Sequence, residues 1–295
     1  STTTASAYHK FKNLDITGCG NHGVYMSFID FPYFENVTSQ TNYGDGFHLR
    51  GASGTNITSQ VRMLHCYANA NHGFGMYLNN VIGFTCDGIG VQSNHVTQTA
   101  KSSDGYPNMM METVHEFSIQ RMDIEDFADD GTLYGTTDTG IVLKNCRGGV
   151  IAGCGFGNAT VYGRAIYIRE NNDGIVVWCN RVQNVAKWIE IEDATDDSQN
   201  IFIGPNGYTG ATTTAYTLPS VASMADHNII IADHAASASA GVITAGRALQ
   251  IPIYADANLP TASGCEGSIA YAATSNVLAF SNGTNWIDVT DGSTI

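Results

Sequence analysis

The 295-residue chain is short of charge, of proline and of cationic side chains. Charged residues make up only 14% of it, too few to coat the solvent faces of many amphipathic helices, and six prolines exclude proline-rich linkers. Thirteen Lys and Arg stand against 27 Asp and Glu, a formal net charge of -14. That balance repels phosphate backbones and anionic bilayers, so nucleic acid is excluded as a partner and no membrane insertion is expected. No apolar run reaches bilayer-spanning length. The seven cysteines show no CxxC or paired Cys/His spacing, so free thiols are expected and no metal site is read. The opening Ser-Thr-Thr-Thr has neither an initiator Met nor a signal-peptide apolar region, which is expected of a fragment or processed product.

Two glycine-rich strings, Gly18-Cys19-Gly20 and Gly153-Cys154-Gly155, are not followed by helical periodicity. They are read as turns, and no cofactor is expected. The acidic run Asp123, Glu125, Asp126, Asp129 and Asp130 lacks EF-hand spacing and is read as a solvated turn.

What the chain does have is glycine, 32 residues of it, together with 43% hydrophobic content and a repeat. Short apolar-x-apolar strands align at Val24-Tyr25-Met26, Phe47-His48-Leu49, Phe74-Gly75-Met76, Met109-Met110-Met111, Ile141-Val142-Leu143, Ile166-Tyr167-Ile168 and Ile189-Glu190-Ile191. A coil length in the low twenties with insertions is the pattern of a β-solenoid, in which each coil buries its inward side chains by stacking on its neighbours. A second strand per coil is visible at Phe11–Ile16, Phe34–Val37, Val61–Leu64, Val81–Phe84, Phe117–Gln120, Gly149–Ile151 and Ile175–Val177. Cys66, Cys86, Cys154 and Cys179 fall just beyond it and are expected to stack as an inert internal ladder.

The fold expected is therefore all-β: a right-handed parallel β-helix over residues 1–234, a linker or cap at 235–246, and a small C-terminal β-module at 247–295. Asn282-Gly283 is the strongest hairpin signal in that module. Insertions at about 92–107 and 128–138 precede the same strand in consecutive coils and are expected to wall a groove near Glu112.

On this texture residues 11–206 resemble the pectate-lyase-like β-helices, which include polysaccharide lyases, glycoside hydrolases and bacteriophage tailspikes. Residues 247–292 resemble a module near the C-termini of phage tail proteins, through Leu259-Pro260, Gly267-Ser-Ile-Ala-Tyr271, Leu278-Ala-Phe280 and Asn282-Gly-Thr-Asn-Trp286. The resemblance implies a tailspike or fibre, homotrimeric and virion-associated or extracellular, that binds and often cuts a surface polysaccharide. Asp129-Asp130-Gly131 resembles the paired aspartates of polygalacturonase-type hydrolases, but the Gly-His-Gly and Arg-x-Lys companions are missing.

Two outward ladders carry the candidate chemistry: Tyr25, His48, Gly75, Met110, Val142, Tyr167, Glu190, and Ser27, Arg50, Tyr77, Glu112, Lys144, Arg169, Glu192. At roughly 4.8 Å per coil they make a strip of about 29 Å. Tyr77 and Tyr167 offer stacking faces, and Arg50, His48, Lys144 and Arg169 offer hydrogen bonds to sugar, alongside the bland alternative of a solvated, cross-paired sheet face. Hydrolysis needs two carboxylates, for which Glu112 is paired with Asp129, Asp130 or Asp104. A lyase would use His48 or Tyr77 as base with Arg50 or Lys144 as cation. A binding-only fibre or adhesin, and a free-standing lyase, are the competing readings.

Overall fold

The computed structural model describes residues 6–52, 57–94, 107–125, 139–157, 163–185, 187–192, 198–209, 214–217, 229–231, 253–254, 256–264 and 269–295. By compactness the chain divides into two units, Ser1–Gly246 and Arg247–Ile295.

The first unit is a parallel β-helix. Among its described residues every strand pairing is parallel, and each strand pairs with its counterpart one coil away. One stack runs through Val24–Ser27, Phe47–Arg50, the first part of Met76–Asp87, the first part of Pro107–Gln120, Thr139–Lys144, Arg164–Arg169, Lys187–Ile191 and Thr214–Thr217. A second runs through Lys10–Thr17, Tyr33–Gln40, Thr58–Leu64, the later parts of the two long strands, Arg147–Ala152, Asp173–Trp178, Phe202–Ile203 and Ile230–Ile231. Short strands Tyr67–Asn69, Gly90–Gln92, Asp123–Glu125, Gly155–Gly157, Arg181–Gln183 and Gly207–Thr209 make a third.

The core is the inside of this coil. Period-2 alternation sends Phe47, Met76, Met109, Ile141, Ile166 and Ile189 inward in one column and Leu49, Leu78, Met111, Leu143, Ile168 and Ile191 in the next. All are buried. Each such side chain contributes about 1.5–3 kcal/mol of transfer free energy. No coil closes a core alone, so this stabilisation exists only in the stack.

The corners needed another device. A backbone that turns inside the stack carries amides with no ladder partner. Here asparagines supply one: the Cys19 amide donates to Asn42 Oδ1 (3.0 Å), the Asn42 amide to Asn71 Oδ1 (3.1 Å), the Asn71 amide to Asn94 Oδ1 (3.1 Å) and the Asn94 amide to Asn108 Oδ1 (3.2 Å). Shorter series link Cys146 to Asn172 and Ser198, and Cys154 to Asn180 and Asn206.

The cysteine ladder is different from the one expected. Backbone bonds Gly90 N–H to Cys66 O, Asp123 N–H to Ile89 O, Gly155 N–H to Met122 O and Arg181 N–H to Cys154 O make Cys66, Ile89, Met122, Cys154 and Asn180 the equivalent positions. Cys86 lies within a strand, paired with Met63 and Ile119, and Cys179 is exposed. The position asks for a buried side chain that fits, and cysteine is one of several that do. Burial pushes the Cys66 thiol up to about 11 and the Cys154 thiol up to about 12.

The second unit is a four-stranded sheet of Ile253–Tyr254, Ile269–Ala272, Val277–Ser281 and Trp286–Asp288, the last three antiparallel. The Asn282-Gly283 hairpin is present: Gly283 takes φ +82, and Asn282 Oδ1 accepts the Thr284 and Asn285 amides. Trp286 is buried and donates Nε1–H to Pro260 O at 2.7 Å. The 235–246 linker lies outside the described residues.

Candidate functional site

The outward side of the first stack carries the site. Register places Tyr25, His48, Tyr77, Met110, Val142, Tyr167 and Glu190 in one ladder, and Ser27, Arg50, Asn79, Glu112, Lys144 and Arg169 in the other. This corrects the third coil: Met76, not Phe74, pairs with Phe47, so Tyr77 stands where Gly75 was expected and Asn79 where Tyr77 was. Both frames put apolar residues at alternate positions. A two-residue slip keeps every side chain on its own face, so the pattern alone cannot separate them.

In the early coils the ladder is aromatic. Tyr25, 54% exposed, stacks on His48 with centroids 5.2 Å apart, and His48 meets Tyr77 at 4.8 Å. His22 lies 4.3 Å from His48 and Phe74 5.4 Å from Tyr77.

Beneath His48 sits Asp45, a buried carboxylate that the sequence reading passed over. Its Oδ1 accepts the Phe74 amide (2.8 Å), and its Oδ2 lies 2.6 Å from His48 Nδ1. A Cβ at Gly73 would lie 2.2 Å from Asp45 Oδ1, so glycine is what admits the carboxylate there. The Asp45 amide in turn donates to His22 Nδ1 at 3.0 Å. His22 Nδ1 is therefore an acceptor, whereas His48 Nδ1 donates to the Asp45 carboxylate. His48 Nε2 is enclosed and has no hydrogen-bond partner among the described residues. Burial pushes the His22 imidazole down, partly opposed by Asp45.

His22, Asp45 and His48 also come close enough to be considered as metal ligands. The hydrogen bonds just described hold the two Nδ1 atoms against Asp45, through its amide at His22 and its carboxylate at His48.

Glu112 stands one coil beyond Tyr77. Its Oε2 accepts from Tyr77 Oη–H (2.9 Å) and Asn79 Nδ2–H (2.7 Å), and Oε1 lies 3.6 Å from Lys144 Nζ. Burial, with Glu112 as the next cause, drives the Tyr77 phenol well above its ordinary range, which makes it a donor and a poor base. From there the face is ion-paired: Lys144 also meets Glu170 (3.4 Å), Arg169 meets Glu170 and Glu192 (both 3.2 Å), and Arg164 meets Glu190 (3.1 Å). Tyr167 is covered by Arg164, 4.0 Å from its centroid.

The expected continuous strip is interrupted. Met110, Val142 and Tyr167 point outward yet are buried, forming with Phe74 and Tyr77 a small apolar cluster of their own. In the early coils Tyr25 and Arg50 are exposed and His48 and Tyr77 are part-covered, while Glu112 is as open as the paired Glu170 and Glu192. Asp104, Asp129 and Asp130, the expected carboxylate partners of Glu112, lie outside the described residues, as do most of both insertions. Among the described residues the carboxylate sharing a cation with Glu112 is Glu170.

No protein-family profile matches the chain, and no curated protein matches it. Among solved structures it is similar to tailspike protein 3 of bacteriophage CBA120, with a TM-score of 0.37 and 11% identity over 97% of this chain. The alignment spans 54% of that tailspike, about half its length. The β-helix itself rests on the strand pairing above. No helix among the described residues is long and apolar enough to cross a membrane.

Proposed function

We propose that the chain is a tailspike-type polysaccharide-binding protein that holds a glycan on the outward face between Tyr25 and Glu112 and cleaves it there by hydrolysis. The observation that carries this reading is the succession of Tyr25, His48 and Tyr77 rings ending on a carboxylate held by Tyr77 and Asn79. Aromatic faces are the natural seats for sugar rings, and a fixed, part-exposed carboxylate beside them is the group glycoside hydrolysis needs. Its second carboxylate comes from Asp104, Asp129 or Asp130. Arg50 supplies an exposed donor along the same stretch, while Lys144 and Arg169, expected as donors too, are engaged by Glu112, Glu170 and Glu192. The assembly proposed is a homotrimer on a virion tail.

A second reading is favoured by one contact. Asp45 fixes the His48 ring through Nδ1 beside Tyr25 and Tyr77, the kind of aspartate-held histidine a proton-abstracting lyase would use once substrate binding uncovers it. Incubation with a panel of capsular, algal and plant polysaccharides separates the two. New reducing ends without unsaturated-uronate absorbance support hydrolysis, and both signals together support the lyase. Glycan binding without either product leaves the adhesin.

A further inference from the structure

A second site lies on a different part of the β-helix. A cavity of about 480 Å³ opens at the edge of the first three coils, lined by Tyr8, Lys10, Phe31, Tyr33, Gln60 and Arg62 among others. Its size is in the range of saccharide and small-molecule clefts. Register builds it from two short ladders. Lys10, Tyr33 and Arg62 occupy one outward position in successive coils. Tyr8, Phe31 and Gln60 occupy the bend just before it. Tyr8 and Phe31 stack at 5.0 Å with only 7° between planes, and are 73% and 42% exposed.

The bend makes those two aromatics unexpected. At this position every coil turns through positive φ: Tyr8 +65, Phe31 +54, Gln60 +53, Gly83 +74, Glu116 +56, Gly148 +62, Gly174 +68 and Asn200 +54. Later coils use glycine three times, the unstrained choice. Bulky rings in the left-handed region are held against their preference, and here they project into solvent instead of filling the core.

The charge is equally out of character. Three of the thirteen cationic residues of a chain with net charge -14 line this one cleft, counting Lys12 with Lys10 and Arg62. Lys12 is paired with Glu35 and lies 5.3 Å over the Tyr33 ring. Among the described residues Lys10 and Arg62 form no ion pair, so both charges are available to a ligand.

We infer that this cleft binds an anionic sugar unit, its ring stacked on the Tyr8–Phe31 pair and its carboxylate met by Lys10 and Arg62. A neutral sugar would leave the two cations unused, and a bare anion such as phosphate would leave the rings unused. The site is independent of the outward face at His48 and Glu112 and does not rest on cleavage there.

The test is titration calorimetry at low ionic strength of the whole chain with oligogalacturonate, oligoglucuronate, oligomannuronate and oligosialate, each against its carboxyl-reduced neutral counterpart, with inorganic phosphate as a further arm. The expected result is binding of at least one acidic oligosaccharide, weakened tenfold or more by carboxyl reduction and by the Lys10→Ala/Arg62→Ala pair, with no binding of phosphate. Phe31→Gly is the second variant: it should lose affinity about tenfold while its melting temperature holds or rises. No binding by any acidic oligosaccharide, an isotherm unchanged in the double variant, equal affinity for phosphate, or a Phe31→Gly melting temperature that falls sharply would each overturn the assignment.

Discussion

The same outward ladder of one sheet is built in two ways. From Tyr25 to Tyr77 it is aromatic, accessible at Tyr25, and centred on a histidine held by a buried aspartate. From Met110 to Glu190 its apolar members are covered, and the charges beside them answer one another in pairs. Both stretches pair in the same parallel register, so the contrast lies in their side chains. Charges that satisfy each other hold a sheet together, whereas exposed rings leave surface for a ligand. Glu112 sits at the junction and belongs to both.

The contrast can be broken at several points. Glu112→Gln keeps the shape of the junction and removes the carboxylate, so turnover should fall on the order of 100-fold or more with affinity little changed, as read by steady-state kinetics beside binding. A loss confined to affinity would instead assign Glu112 to the ion-paired stretch.

Arg164→Ala strikes the paired stretch directly. Arg164 is 6% exposed, bonded to Thr139 Oγ1 and Glu190, and lies over Tyr167. Its loss should cost about 3 kcal/mol in chemical denaturation, at the lower edge of what breaking a buried pair costs because Lys187 still meets Glu190.

Tyr25→Ala tests the other stretch: affinity for the glycan should drop about tenfold, with stability unchanged because the ring is exposed. A large drop in melting temperature would make the ring structural. Lys144→Ala should cost no more than about 1 kcal/mol, less still at high salt, since its pairs are open to solvent on one side.

The smallest effect is one of pH. Burial lowers the His22 imidazole below its ordinary 6.5 in the folded state, so folding is favoured while His22 is neutral. That contribution is present above pH 6.5 and fades as pH falls through the lower folded value. His115 is shifted the same way by burial and Arg147, so His22→Gln should flatten part of the loss in melting temperature between pH 7 and pH 5, and His115→Gln another part.

Most of the fold could be read from the chain because a solenoid writes its core repeatedly: inward columns such as Leu49, Leu78 and Leu143 recur at alternate positions around glycine-rich turns. The slip at Phe74 shows the limit, since an extra apolar residue two positions early satisfies the same alternation. The asparagine ladders were hidden for another reason. Asn42, Asn71 and Asn94 look like ordinary turn residues until coils of 29 and 23 residues are closed on one another. Asp45 was missed likewise, because a three-residue spacing signals a side-chain pair only on a helix, and here it runs from a bend into a strand. Glu112, Tyr77 and Lys144 were found because charge and aromatic character at outward positions survive a two-residue error in register.

The most direct test of the central claim is one experiment on one substrate. A polysaccharide found to bind the wild-type chain is incubated with wild type, Tyr25→Ala and Glu112→Gln while bound glycan and new reducing ends are followed together. The account predicts that Tyr25→Ala loses binding and that Glu112→Gln binds but releases no product. Wild-type levels of both signals in both variants would contradict it and place the glycan elsewhere on the molecule.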